Sequence, residues 1–446
     1  MIRRESKSRF YSLLTAVLTP VVLIRLALRG LKSPAYFRRW RERFGLFPDP
    51  GFRQTIWIHA VSVGEVNAAI PLIRSLMETY QDSDFVVTTI TPTGSDRVQQ
   101  VFGNQVFHVY LPYDLPGAVK RFLRKIRPRL AVIMETEIWP NLFRFSHKQG
   151  IPVVVANARL SEMSLKGYKW VQTLAAMAFN HARHVAAQTR TDADRMLRLG
   201  CNPEKIHIVG SLKFDIQIDE ETRRTGALYR QKLGADRRIW IAASTHPDDE
   251  KEVLQAYVML KKAYPDLLLV LVPRHPERFA QAAQNCRNRG LNTQLRSEHG
   301  FCDDQADVFV VDTMGELLPF YAAADFAFVG GSIANVGGHN VLEAAVFSLP
   351  VLVGPNTHNF AEINQLLSAC GGSVTVQNAE DIVREIRQLI ESPEQCRRMG
   401  EAAYRMVEEN RGAVDLTMKL IANAVDGTPL PEAFKQRRFH PEIPPA

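Results

Sequence analysis

Several acidic and basic side chains in this sequence stand directly after apolar runs, where each could cap a helix, join an ion pair or do chemistry at a site. The run W-I-H-A-V-S-V-G-E-V-N-A-A leaves an apolar stretch near Val61 and opens a helical pattern at about Glu65, with Ser62 and Gly64 suited to a tight turn. An acid in the first turn of a helix is either an electrostatic cap or a proton acceptor at a site mouth. A helix N-terminus favours the ionised carboxylate, so Glu65 is expected charged and ready to accept a proton. Met134-Glu-Thr-Glu-Ile-Trp-Pro140 places Glu135 and Glu137 straight after another apolar run. Carboxylates are costly in an apolar setting without partners, so this pair points to a site more strongly than surface acids do. Asn157-Ala-Arg-Leu-Ser161 follows a third run, and Arg159 and Lys166 suit either an acidic ligand or plain ion pairs. Thr91-Pro-Thr-Gly-Ser95 has turn and N-cap chemistry, or a hold for an anion. Asp192-Ala-Asp194 has the D-x-D spacing of a divalent-metal site, but its place in a first helical turn favours capping.

The second half repeats the pattern. Val209-Gly-Ser-Leu-Lys-Phe-Asp215 puts Lys213 in a glycine-flanked hinge. Ala243-Ser-Thr-His-Pro247 and Val272-Pro-Arg-His-Pro-Glu-Arg278 both follow apolar strands, so Arg274 and His275 are placed to grip a phosphate. Asp312 to Leu317 reads as a strand end and helix start. Gly330, Gly331, Gly337 and Gly338 form a glycine-rich loop leading into a helix from about Asn340. A nucleotide phosphate suits such a terminus, with Glu343 accepting from ribose hydroxyls. No G-x-x-x-x-G-K-[ST] loop and no G-x-S-x-G elbow occurs, which argues against P-loop NTPases and α/β-hydrolases.

Positioning such residues takes an alternation of strands and helices. Apolar runs at 56–61, 85–89, 106–110, 130–134, 152–156, 184–187 and 206–209 read as buried parallel strands, with helical stretches at 65–80 and 115–127 between them. A polar, charged break falls near 215–235. Strands resume at 239–243, 267–272, 308–311, 326–329, 351–353 and 373–376. The expectation is two doubly wound α/β domains, 46–225 and 226–428, with a ligand in the crevice between them. A proline-rich basic tail, 429–446, is expected to be mobile or draped over the surface.

The chain has 446 residues, 46% hydrophobic and 23% charged, which fits a soluble globular protein and excludes disordered, collagenous and polytopic membrane classes. Five widely spaced cysteines without a C-x-x-C pair argue for a reducing compartment and against a disulfide framework or zinc site. Of the net charge of +8, residues 1–45 carry +9, from 11 basic and two acidic side chains. The remainder sums to −1, so basic charge is not spread over a working face as in a nucleic-acid protein. Residues 10–24 are almost wholly apolar, too short for an ordinary membrane span, interrupted by Pro20 and followed by no A-x-A-like cleavage site. Residues 1–45 are therefore expected to hold a short helix in or on the cytoplasmic leaflet, its Lys and Arg meeting anionic head groups, with a buried core helix as the rival reading.

The motifs together resemble the GT-B glycosyltransferases, and more closely the 3-deoxy-D-manno-octulosonate (Kdo) transferases of lipid A assembly. The matching stretches are H-A-V-S-V-G-E, T-P-T-G, L-P-Y-D, M-E-T-E-I-W-P-N, N-A-R-L-S, G-S-L-K-F-D, P-R-H-P-E-R-F, M-G-E-L, G-G-H-N-V-L-E and G-P-N-T-H-N-F, in order over about residues 55–360. The resemblance implies CMP-Kdo as donor, a lipid A precursor (lipid IVA) on the inner membrane as acceptor, inversion at the anomeric carbon, and no metal or other cofactor. It implies Glu65 as general base, and Glu135 and Lys213 as transition-state stabilisers. It implies a CMP cradle of Pro273, Arg274, Met314, Gly315, Glu316, Asn340, Val341, Leu342 and Glu343. The alternative is a GT-B-like UDP-sugar epimerase, which would leave the apolar N-terminal stretch without a purpose. A second alternative is a non-catalytic nucleotide-sugar-binding protein, which would bind CMP yet be indifferent to Glu65→Ala.

Overall fold

A computed structural model describes residues 2–17, 19–168, 172–432 and 434. The chain divides into two units, one of residues 1–215 with 411–446 and one of residues 216–410.

Seven strands of the first unit, β1 (Thr55–His59), β2 (Asp84–Thr89), β3 (Phe107–Tyr110), β4 (Pro128–Met134), β5 (Val153–Ala158), β6 (His184–Ala187) and β7 (Ile206–Ile208), form one parallel sheet in the order β3-β2-β1-β4-β5-β6-β7. β1 is buried along its whole length, as a strand covered on both faces must be. Trp57, Val119 and Phe122 belong to the core on one side, and Ile56, Ile58, Val66 and Leu72 to the core on the other. Strand order reverses between β1 and β4, which makes the C-terminal ends of those two strands the switch point where doubly wound sheets bind ligands.

The second unit repeats the plan. β8 (Ile239–Thr245), β9 (Leu268–Pro273), β10 (Thr293–Leu295), β11 (Val308–Val310), β12 (Phe326–Val329), β13 (Val351–Val353) and β14 (Ser373–Thr375) run in the order β10-β11-β9-β8-β12-β13-β14, all parallel. Its switch point lies between β8 and β12.

Three expectations are corrected. β10 goes unread in the sequence because its three residues carry a polar centre, Gln294. The charged break near 215–235 is largely a helix, Glu220–Leu233, capped by the Asp219 side chain on Thr222 N. The boundary lies at Asp215/Ile216 and not 225/226, and the second unit ends at Asn410 and not 428. The reason is helix Ala413–Asp426, whose Val414 and Ile421 join the core of the first sheet. Asp215 fixes the return: its carboxylate accepts from Gly412 N and Val414 N, both at 2.7 Å. Of the tail, residues 433 and 435–446 lie outside those described, while Phe434 is buried against the His207 ring.

The N-terminal segment is two helices, Ile2–Val17 and Thr19–Lys32. Among the described residues no single helix is long and apolar enough to cross a membrane. Phe10–Val17 with Thr19–Leu28 meets that length and composition only as a pair bent by 44°. Phe10, Val17, Val21 and Ile24 are each about 60% exposed or more, which sets the buried-core-helix reading aside. Part of the basic charge is spent within the fold. Arg43 is 2% exposed, donates to Ile90 O at 2.7 Å and lies over the Tyr110 ring. Arg39 pairs with Glu42 at 2.7 Å and donates to His108 O. The side chains of residues 2–9, Arg29 and Lys32 lie outside those described.

Candidate active site

The three acids singled out at strand ends in the first half, Glu65, Glu135 and Glu137, meet at the first switch point. Ser62 ends the turn after β1, helix Val63–Thr79 follows, and Glu65 stands in its first turn. The Glu65 carboxylate turns back to accept from Val61 N at 2.9 Å. Glu135 follows β4 directly; its N–H continues the ladder to Ala156 O at 2.8 Å. Its φ of 54° is left-handed, which is uncommon for a residue with a side chain. Asn157 at the end of β5 and Ser244 near the end of β8 share that conformation, with φ of 54° and 55°. Strained backbone of this kind costs of order 1–3 kcal/mol and concentrates at functional sites.

The charge state of Glu65 differs from the sequence expectation. Burial lifts its pKa to about 8, the Val61 N–H opposes this, and the nearby Glu135 and Glu137 raise it further. Desolvation and like charge thus outweigh the helix terminus. Glu137 is raised too, first by burial, although Trp139 Nε1 donates to it at 3.0 Å.

Lys213 sits in the short turn Leu212–Phe214, which packs on helix Val63–Thr79. Leu212 belongs to the same core cluster as Val66 and Ala69 of that helix. Leu212 N donates to Asn157 Oδ1 at 3.0 Å, so the left-handed end of β5 holds the lysine's turn. Asn157 is fully buried, and its Nδ2 has no hydrogen-bond partner among the described residues. Arg159 is exposed and makes no ion pair among the described residues, whereas the Lys166 side chain lies outside those described. Thr91 is the N-cap expected, accepting from Gly94 N at 3.1 Å. Asp192 is buried and structural: it accepts from Leu160 N at 2.9 Å and from the Thr189 hydroxyl at 2.6 Å.

In the second unit the glycine loop follows β12 at the switch point, and several of its backbone donors are already engaged. Asp249, fully buried in helix Pro247–Lys261, accepts from His246 N and Gly331 N with one oxygen. Its other oxygen accepts from Ile333 N and Ala334 N, both at 3.0 Å. The helix expected from Asn340 is a single turn, Leu342–Ala345. This corrects the sequence expectation in two respects: the helix after the loop is short, and the Gly331, Ile333 and Ala334 N–H groups are held by Asp249. Gly331 has φ of 69°, and a Cβ there would lie 2.8 Å from the His339 ring, so only glycine fits.

Around that loop stand His246, His275 and His339. Nε2 of His246 and Nε2 of His339 are 3.0 Å apart, and the His246 and His275 rings meet edge-on at 5.3 Å. Burial, with Arg274 beside it, pushes His339 down to about 4 and His246 lower than usual. Burial thus favours the neutral ring at His246 and His339, and across their 3.0 Å contact one Nε2–H donates to the other Nε2. Pro273 is buried at the end of β9; Arg274 follows, its backbone held by Thr245 O at 3.0 Å and its side chain exposed. By contrast Arg278 pairs with the buried Glu250 at 3.0 Å.

Glu316 has its carboxylate occupied. Arg296 donates to both oxygens, and the Tyr229 and Thr313 hydroxyls also donate, which pulls its pKa down to about 2. It holds the loop that presents Met314, 64% exposed, and Gly315, at φ of 91°. Asn340 accepts from Leu342 N and donates to Glu343 Oε1, both at 3.2 Å, while Val341 and Leu342 are buried. Asp249, Arg296 and Tyr229 are the residues that sequence reading missed. All three act through contacts distant in sequence. The five cysteines are free thiols. Among the described residues no group of three or more His, Cys, Asp or Glu is arranged to hold a metal.

Comparison with known proteins agrees with this division. Residues 38–216 match the family described as 3-Deoxy-D-manno-octulosonic-acid transferase (kdotransferase), and residues 236–406 match Glycosyl transferases group 1. The chain is 40% identical to the 3-deoxy-D-manno-octulosonic acid transferase of Haemophilus influenzae, over 92% of this chain and 97% of that one. It is 34% identical to the enzyme of the same name from Bordetella pertussis, over 88% and 96%. Among solved structures, the UDP-GlcNAc 2-epimerase of Neisseria meningitidis superposes with a TM-score of 0.56, covering 83% of this chain and all of that one. At 14% identity that likeness speaks for the two-domain GT-B fold alone.

Proposed function

The chain belongs to the 3-deoxy-D-manno-octulosonic acid transferase family and is a glycosyltransferase of Kdo transfer, and from that premise we propose that it moves Kdo from CMP-Kdo to the lipid A precursor lipid IVA with inversion, at the cytoplasmic face of the inner membrane. The observation that carries the reading is the meeting of Glu65 with Glu135 and Glu137 at the first switch point, with Glu65 lifted to about 8.

The acceptor hydroxyl attacks the anomeric carbon of Kdo and passes its proton to Glu65. A base whose pKa lies near the working pH combines useful ionised population with real basicity. Glu65 at about 8 meets that condition better than the fully ionised carboxylate a helix start alone would give. As the bond to CMP breaks, its electron pair stays on the phosphate oxygen and the sugar gains oxocarbenium character. Glu135 stabilises that positive charge. Lys213 and Arg274 offset the charge growing on the phosphate, so departure draws on protein cations and needs no metal. Pro273, Arg274, Met314, Gly315, Asn340, Val341, Leu342 and Glu343 line the CMP cradle. Glu316 contributes by holding the Met314–Gly315 loop in shape. The apolar N-terminal helices bring the enzyme to the membrane that carries its acceptor, alongside anionic lipids. No observation on the molecule favours the epimerase reading.

The test is Kdo transfer from freshly generated CMP-Kdo to tetraacylated lipid A precursor, by wild type and Glu65→Ala. Loss of transfer with CMP binding kept is the expected result, and mass spectrometry of the product counts the units added. A folded wild type that transfers nothing in detergent would sink the proposal.

A further inference from the structure

Exposed apolar side chains are concentrated in one segment. Of the 18 large apolar residues most exposed among those described, 12 fall in residues 10–46. That segment is fastened to two helices of the first unit, Pro116–Ile126 and Pro140–Lys148. Tyr11 donates to Asp114 at 3.0 Å, just ahead of the first helix, and Ser12 donates to Asn141 in the second at 2.7 Å. Arg121 donates to Phe44 O at 2.7 Å, and Lys125 to Gly45 O at 3.2 Å.

Between the same two helices lies a cavity of about 540 Å³, lined by Lys120, Arg121, Arg124, Phe145, Lys148 and Gln149. Four cations line it and no carboxylate does. The Lys120 ammonium stands 4.9 Å from the centre of the Phe145 ring. Arg124 and Lys148 are exposed, and their side chains make no hydrogen bond or ion pair among the described residues. Unbalanced charge beside an apolar, surface-seeking segment matches the layered chemistry of a bilayer, where phosphate lies just outside hydrocarbon.

We propose that this groove binds the head-group phosphate of an anionic phospholipid in the bilayer that takes up the exposed apolar side chains of residues 10–46. It is a second anchor, on the folded body, beyond the basic N-terminal residues themselves. The inference rests on the membrane reading above and is independent of which residues perform catalysis. Phosphate is recognised by paired guanidinium and ammonium groups at close range, which Arg124 and Lys148 supply from facing helices.

Vesicle binding of the full chain tests it, with phosphatidylcholine vesicles against vesicles containing phosphatidylglycerol. The double variant Arg124→Gln, Lys148→Gln should bind phosphatidylglycerol vesicles roughly 25-fold more weakly, and phosphatidylcholine vesicles nearly as wild type does. The charge-matched control Lys262→Gln, Arg405→Gln, on the other unit, should change less than twofold. Equal loss in the control, or no lipid preference in wild type, overturns the proposal. Inorganic phosphate at matched ionic strength should not displace the vesicles more than chloride does. Selective displacement would make this a free-phosphate site and overturn the lipid assignment. Arg124→Lys with Lys148→Arg should restore binding, which separates charge from misfolding. Kdo transfer in detergent without anionic lipid should be unchanged in the double variant. Were wild type to transfer nothing there, the proposed function would fail while the binding result stood.

Discussion

Glu65 concentrates the chemistry of the first unit because three influences on its charge act against one another. Burial is the largest, the Val61 N–H opposes it, and two neighbouring carboxylates add to it. If Glu65 is the base, kcat/KM for Kdo transfer should climb about tenfold per pH unit below about 8 and level off above, since the base must be ionised to act. Glu137→Gln removes one like charge, so that limb should move toward lower pH; an unmoved limb would mean that Glu137 does not act on the base. Glu65→Gln should lower kcat by roughly 10²–10⁴-fold, with CMP affinity within twofold of wild type. The same residue links pH to stability. Its folded pKa stands above its ordinary value of 4.5, so its contribution is full below about 4.5 and is lost as pH climbs to about 8. Thermal melts of Glu65→Gln should therefore gain on wild type steadily from pH 5 to pH 8, and a constant offset would refute the raised pKa.

At the scale of elements, the strand ends decide what the site is. The strands are legible in sequence because parallel strands covered on both faces are continuous apolar runs, as with Phe326–Val329 and Val351–Val353. Glu65 and Glu135 are legible as acids at strand ends. Their meeting is not, because it depends on β1 lying beside β4, whose paired residues stand 73–74 positions further along the chain. The ionisation of Glu65 misleads for the same reason: the helix start is local, while burial and the β4 acids are not. Asp249 is hidden among three acids in one helical turn, and only the fold shows it turned into the glycine loop while Asp248 stays exposed. Asp249→Asn keeps one acceptor oxygen but turns an N–H₂ group toward backbone donors. At least one buried donor is left unmet, at about 1–3 kcal/mol. The variant should lose stability by that order in urea unfolding and bind CMP more weakly, because the loop carrying His339 loses its support. Unchanged stability would mean that the four hydrogen bonds are not what holds the loop.

At the scale of the whole molecule, the chain leaves its first unit after Asp215 and returns at Arg411, so the first unit is discontinuous and the second is not. What returns matters energetically. Val414, Leu420 and Ile421 of the last long helix are buried, as is Phe434 beyond it. At about 1.5–3 kcal/mol for each such side chain, their burial is comparable with the 5–15 kcal/mol that holds an ordinary domain folded. The two halves of the sequence should accordingly behave differently when separated. Residues 216–410 expressed alone contain all seven strands of their sheet and the whole proposed CMP cradle. They should unfold in one cooperative transition and bind CMP with an affinity close to that of the full chain. Residues 1–215 alone also keep all seven of their strands, yet their core lies open where the return helix belongs. Near-UV circular dichroism should show that fragment without fixed aromatic packing, and co-expression with residues 411–446 should restore it. A sharp transition in 1–215 alone would show that the return helix covers a core already complete, and that Asp215 ties down a segment the first unit does not need.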